Sequence, residues 1–272
     1  MIQRNIPSTG ELIPVIGLGT WQTFDVTEEA YGELQKVLKE FHKGGGSVID
    51  SSPMYGRSEK VVGDISSGME EADDFFYATK VWVSGKHEGI SQMQSSFIKM
   101  KRSVMDLIQV HNLLDWKTQL ATLRQWKEEG KLRFTGITHY TDSSHEELER
   151  IIKSEPVDFV QFNYSIIARN AERRLLDAAA DNGVATLINR PFGEGKLFRA
   201  VQGKSLPAWA KELGIESWAT YFLKYIISHQ AVTCVIPATS NPLHLLDNMN
   251  AGKGNLPAEE DRKKMLKYLE KR

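Results

Sequence analysis

The 272-residue chain has one cysteine, no excess of either charge and no long apolar run, and each shortage removes a class of function. Cys234 cannot form an internal disulfide. It lies inside Val232-Thr-Cys-Val-Ile236, where nothing lowers its pKa, and reads as a buried structural thiol, not a nucleophile. With 34 Lys and Arg against 35 Asp and Glu, the chain carries no electrostatic footprint for nucleic acid or an anionic membrane. A small-molecule partner is favoured. Nowhere do about 18 apolar residues run together as a membrane span requires, and the opening residues lack an apolar signal core. The expectation is a soluble, cytoplasmic, monomeric protein. Low-complexity segments and interdomain linkers are also missing, so residues 1–272 read as a single domain.

What is present is an alternation repeated eight times. Apolar, β-branched runs at 15–20, 47–51, 75–80, 106–111, 133–138, 158–163, 185–189 and 232–236 read as strands. Helical periodicity falls between them at 27–43, 58–68, 88–103, 116–129, 143–154, 171–182, 207–229 and 241–250. Eight such units predict an α/β fold of the (β/α)8 TIM-barrel class, because parallel strands need crossover connections and each apolar run suits burial on both faces.

Local chemistry sets the boundaries. Gly44-Gly45-Gly46 and Gly183 stop the first and sixth helices, and Ser143 or Ser144 caps the fifth. Ser8-Thr9-Gly10 predicts the turn of an N-terminal β-hairpin that plugs the barrel. Residues 193–206 are left as a long connection, the acidic cluster Glu70, Glu71, Asp73 and Asp74 as a solvated loop, and 258–271 as an extra C-terminal helix.

Three successive strands end in an acid, an amine and an imidazole: Asp50, Lys80 and His111, with Tyr55 five residues after the acid. Singly, polar residues at strand ends mean little. Together, at the rim where barrels place their chemistry, they form a set. Asp50 keeps a desolvated Lys80 charged, and that cation is expected to lower the Tyr55 phenol toward the working range of a general acid. His111 is placed to orient a carbonyl oxygen and stabilise developing negative charge. This is equipment for carbonyl reduction, and it calls for no metal.

The order of landmarks resembles the aldo-keto reductases, bacterial members among them. It runs through Gly17-Leu-Gly-Thr-Trp21, Asp50-Ser-Ser-Pro-Met-Tyr-Gly56, Ala78-Thr-Lys80, Gln109-Val-His111, Gly136-Ile-Thr-His-Tyr140, Val160-Gln-Phe-Asn163 and Val235-Ile-Pro237. The resemblance implies that Tyr55 is the general acid, tuned by Lys80 and Asp50, with His111 orienting the substrate. It also implies NADPH, with NADH as an alternative. Gly19, Thr20, Trp21, Asp50, Thr138, His139 and Gln161 would lie near the nicotinamide half. Asn189, Arg190, Pro191, Phe192, Gly193, Gly195 and Lys196 would run along the ring and pyrophosphate. Pro237, Ala238, Thr239, His244, Asp247 and Asn248 would surround the adenosine end, with the helix starting near Pro242 receiving a phosphate.

Other nucleotide signatures fail: Gly17-x-Gly19-x-x-Gln22 lacks the third glycine of a dinucleotide fingerprint, and Gly193-Glu-Gly-Lys196 lacks the phosphate-loop pattern. The chain departs from the resembled pattern at His139 and Asn189. It departs again at Ala238 and His244, where many members place a lysine and an arginine against the 2′-phosphate, and this implies weaker discrimination between NADPH and NADH than in typical members, with Lys196 and Arg190 as candidate replacements for the missing charge.

Trp21, Met54 and Trp82, with His111, are expected around the substrate, and their apolar wall favours a hydrophobic aldehyde or ketone. Either tryptophan has the simpler reading of packing under a loop. Two rival functions remain: a Schiff-base lyase using Lys80, disfavoured because Asp50 keeps that amine protonated, and a non-catalytic dinucleotide-binding redox sensor.

Overall fold

The computed structural model describes residues 1–270. Eight parallel strands lie side by side in chain order: β3 (Leu18–Gly19), β4 (Val48–Asp50), β5 (Phe76–Val81), β6 (Met105–His111), β7 (Leu132–Thr138), β8 (Phe159–Asn163), β9 (Ala185–Asn189) and β10 (Cys234–Val235). Bridges from Ile16 to Val235 and from Gly19 to Ala238 join the first strand to the last and close the sheet into the predicted barrel. Outside it stand α1 (Tyr31–Lys43), α2 (Ser58–Ser66), α3 (Lys86–Met100), α4 (Trp116–Glu128), α5 (His145–Ser154), α6 (Leu175–Asp181), α7 (Lys196–Ala200), α8 (Trp218–Ile227), α9 (Pro242–Asn250) and α10 (Glu259–Glu270).

The period of two along each strand divides the core. One parity, including Val48, Phe76, Leu107, Phe134, Phe159, Leu187 and Cys234, clusters inside the barrel. The other, including Ile49, Tyr77, Ile108, Ile137, Val160 and Ile188, packs with the helices. The N-terminal hairpin of β1 (Gln3–Asn5) and β2 (Leu12–Pro14) adds Ile6 and Ile13 to the inner cluster, so it plugs the barrel as predicted. Cys234 is fully buried, and burial pushes its thiol well above the usual range, in keeping with an inert structural role.

Several boundaries need correction. The helix predicted over 207–229 divides: a 3-10 segment, Ala208–Leu213, stops at Gly214, whose φ is +63°, and α8 restarts after Ser217, whose Oγ accepts from the Thr220 N–H at 3.0 Å. The connection 193–206 holds the short helix α7. Neither Ser143 nor Ser144 caps α5 with its side chain; both sit within a 3-10 turn, near the Thr141 hydroxyl. The acidic cluster is largely solvated, but Asp73 pairs with Arg102 and Asp74 with His42. Residue 271 of the predicted final helix lies outside the described residues. Among those described, no helix is long and apolar enough to cross a membrane.

Candidate active site

The inner parity of the strands stays apolar through their first halves and turns polar at their carboxyl ends. Asp50 follows Val48, Lys80 follows Ala78, Gln109 and His111 follow Leu107, and Gln161 follows Phe159 at two-residue intervals. Strand register sets these groups side by side: Lys80 opposite Gln109, His111 opposite Thr138, and Thr138 opposite Gln161. The barrel therefore carries a polar layer on top of its apolar core.

The centre of that layer is an ion pair. Lys80 Nζ donates to Asp50 Oδ2 at 2.6 Å and to the Ser51 carbonyl at 2.7 Å, and neither charged side chain is more than 3% exposed. Asp50 Oδ1 accepts from Gln161 Nε2 at 3.0 Å and Gln109 Nε2 at 3.2 Å, so both carboxylate oxygens have donors, as a buried charge requires. Burial opposes the ammonium, but Asp50 and Tyr55 outweigh it and hold Lys80 above its ordinary pKa.

Tyr55 reaches this pair from the β4–α2 loop. The loop is fixed by Tyr55 N–H donating to the Ser52 carbonyl at 3.0 Å and by Gly56 at φ +61°, against which the Asp25 carboxylate packs. Lys80 Nζ lies 5.0 Å from the Tyr55 ring centre, and the ring meets His111 edge-on at 5.9 Å. The expected lowering of the phenol does not occur. Burial raises it, and the opposing charge of Lys80, itself partly cancelled by Asp50, does not overcome that. His111 Nδ1 lies 3.1 Å from Ser52 Oγ, and burial followed by the Lys80 charge drives the imidazole down to about 2, so it is neutral.

A cavity of about 370 Å³ opens over the layer. Asp50, Tyr55 and His111 line it, with Gly19, Thr20, Trp21, Met54, Thr138, Gln161, Asn189, Arg190, Pro191, Phe192, Gly195 and Ala238. Lys80 stands behind Tyr55, outside the lining. Trp82 is 40% exposed with its ring 6.3 Å from His111, and it too lies outside. His139 turns away to accept from the Tyr140 N–H at 3.0 Å. Gly193, Lys196, Pro237, Thr239, His244, Asp247 and Asn248 are not among the lining residues. Asp247 instead accepts from Ser217 Oγ at 2.7 Å, and the Asn241 side chain already takes the Leu243 N–H at the start of α9.

Sequence reading assigned no role to Gln109, Ser52, Tyr140, Asn112 or Glu194. For Gln109 the signal was available, since it shares strand parity with His111. The other four depend on loop geometry.

Thr23, Asn112 and Asn189 line the cavity, and each has one side-chain oxygen that is enclosed and without a hydrogen-bond partner. A lining this polar suits a ligand bearing its own donors, and a nicotinamide dinucleotide is such a ligand. Among the described residues no cluster of His, Cys, Asp and Glu is arranged to hold a metal.

Residues 15–263 match the model of the aldo/keto reductase family. The methylglyoxal reductase YeaE of Escherichia coli is 24% identical over 256 residues, spanning 91% of this chain and 89% of that protein. An NADH-specific methylglyoxal reductase of the same organism is 24% identical, over 72% of this chain and 69% of its own length. In fold, the chain is similar to an aldo-keto reductase from Klebsiella pneumoniae solved in complex with NADPH, with a TM-score of 0.82, 21% identity, and 99% and 96% of the two chains covered.

Proposed function

The chain belongs to the aldo/keto reductase family, oxidoreductases that reduce carbonyls with NAD(P)H, and from that premise we propose that Tyr55 is the general acid that protonates the carbonyl oxygen. The observation that carries this reading is the buried contact of Lys80 Nζ with Asp50 Oδ2 at 2.6 Å beside the Tyr55 ring. When bound, the reduced nicotinamide supplies the hydride.

Tyr55 holds its proton through the neutral range because burial raises the phenol. As the proton leaves, the phenolate forms next to a fixed ammonium, so Lys80 stabilises the transition state more than the ground state. Asp50 keeps that ammonium charged in a site that would otherwise neutralise it. With Ser52 O–H as the donor to Nδ1, the neutral His111 would keep its proton on Nε2, a donor for the substrate oxygen. A Schiff-base role for Lys80 is disfavoured by its raised pKa.

The dinucleotide would lie in the lined cavity near Gly19, Thr20, Trp21, Asp50, Thr138 and Gln161, pass along residues 189–196 and reach Pro237, Ala238, Thr239, His244, Asp247 and Asn248. His139 would act there through its loop. Trp21, Met54, Trp82 and His111 would contact an aldehyde or ketone. The protein works as one cytoplasmic, monomeric domain.

The test is oxidation of NADPH and of NADH with a panel of aldehydes and ketones that includes methylglyoxal, the substrate in the names of the Escherichia coli relatives. Turnover supports the reading. Binding of either dinucleotide without turnover of any carbonyl would leave the redox-sensor reading in its place.

A further inference from the structure

Arg190 is the only lysine or arginine among the described residues lining the cavity, and the local backbone is held in an unusual state to put it there. Arg190 at φ +52° and Glu194 at φ +57° both occupy the left-handed region, with Gly193 and Gly195 between and beside them also positive. Non-glycine residues enter that region rarely, and such conformations concentrate at ligand sites. The guanidinium stacks over the Tyr140 ring at 4.1 Å, faces Trp21 at 5.8 Å and pairs with Glu194 Oε1 at 3.1 Å.

These contacts are unequal. The Tyr140 ring covers one side of the guanidinium and leaves N–H donors for a planar oxyanion. The Glu194 pair is a partly exposed one, 32% and 41%, of a kind that contributes little and is easily exchanged. The charge sits close enough to Tyr55 to pull its phenol downward.

We propose that Arg190 is an oxyanion clamp that leaves Glu194 for the carboxylate of a carbonyl substrate, making aldehydes or ketones that carry a carboxylate the preferred class. This rests on the reductase reading and narrows it. The same clamp chemistry would suit a phosphate of the dinucleotide, and the experiment separates the two sources.

The probes are 3- and 4-carboxybenzaldehyde, each against its methyl ester, which keeps the carbonyl and removes the charge. The native protein should show a lower KM for at least one acid than for its ester. With NADPH saturating, Arg190→Gln should raise the ratio of the acid's KM to the ester's about tenfold, the loss expected for a charge-assisted bidentate contact. The dissociation constant of NADPH is read in parallel from protein fluorescence. Glu194→Gln, which frees Arg190, should lower the acid's KM. An unchanged KM there would overturn the exchange. Equal effects of Arg190→Gln on acid and ester would overturn the clamp. Weakened NADPH binding with an unaltered acid-to-ester ratio would assign Arg190 to the dinucleotide phosphate and overturn the substrate class. No turnover of any aldehyde would overturn the reductase reading itself, whereas turnover of acid and ester alike by the native protein overturns only the clamp.

Discussion

Gln109 of β6 stands opposite Gly136 of β7, and the missing side chain at Gly136 leaves the room that Gln109 uses to reach Asp50. A Cβ built on Gly136 would lie 2.9 Å from Gln109 Cγ and 3.0 Å from the Phe159 carbonyl oxygen, so neither the side chain nor the neighbouring strand has space to give. Gly136→Ala should therefore destabilise the protein by about 1–3 kcal/mol through overpacking and lower kcat by disturbing the Asp50 donors. Urea unfolding and steady-state kinetics read the two effects. Unchanged stability and kcat would show that the barrel interior is looser than the contact distances imply.

The raised Tyr55 phenol and the neutral His111 make a prediction about pH. For the free enzyme, kcat/KM for reduction of a neutral aldehyde should stay level from about pH 6 to about pH 9, because neither group titrates in that interval. A fall centred below about pH 9 would mean that Lys80 outweighs burial at the phenol after all.

His111 also links stability to pH. Its folded pKa, about 2, lies below the unfolded value of about 6.5, so the unfolded chain binds the extra proton between those limits and stability falls as pH drops below about 6.5. Between about pH 7 and about pH 5 this amounts to about 2 kcal/mol. His111→Gln should remove that share of the acid sensitivity, and unfolding measured at both pH values checks it. An identical loss in native protein and variant contradicts the assignment.

How much of this was legible beforehand follows from which forces act locally. The eight strands announced themselves because apolar runs buried on both faces must be both β-branched and short, and the same parity that sends Leu107 inward sends His111 inward. Gln109 obeys that parity too, but its value depends on the gap at Gly136, one strand over. The sign of the Tyr55 shift was misread because a competition between burial and a charge behind the ring cannot be settled without positions. The break at Gly214 hides inside an apolar period that continues through it. The Arg190–Glu194 pair lies in a loop where both residues take positive φ, which neither residue type signals.

Ala238 lines the cavity with a methyl group, and His244 lies exposed on the first turn of α9, where the family resemblance implies a guanidinium in other members. Dissociation constants for NADPH and NADH should differ by less than about a hundredfold, since neither Ala238 nor His244 offers the bidentate contact that a guanidinium makes with a 2′-phosphate. A larger preference for NADPH would point to Lys196 or another cation filling that role.

The central claim is that Tyr55 gives the proton, and Tyr55→Phe isolates the phenolic oxygen while keeping the ring against His111 and Lys80. With an aldehyde that the native protein reduces, kcat/KM should fall by about 10²–10⁴, the usual worth of a general acid, while the dissociation constant of NADPH stays within about threefold. A variant that keeps its turnover with NADPH bound as before would contradict the account and transfer the proton-donor role to another group.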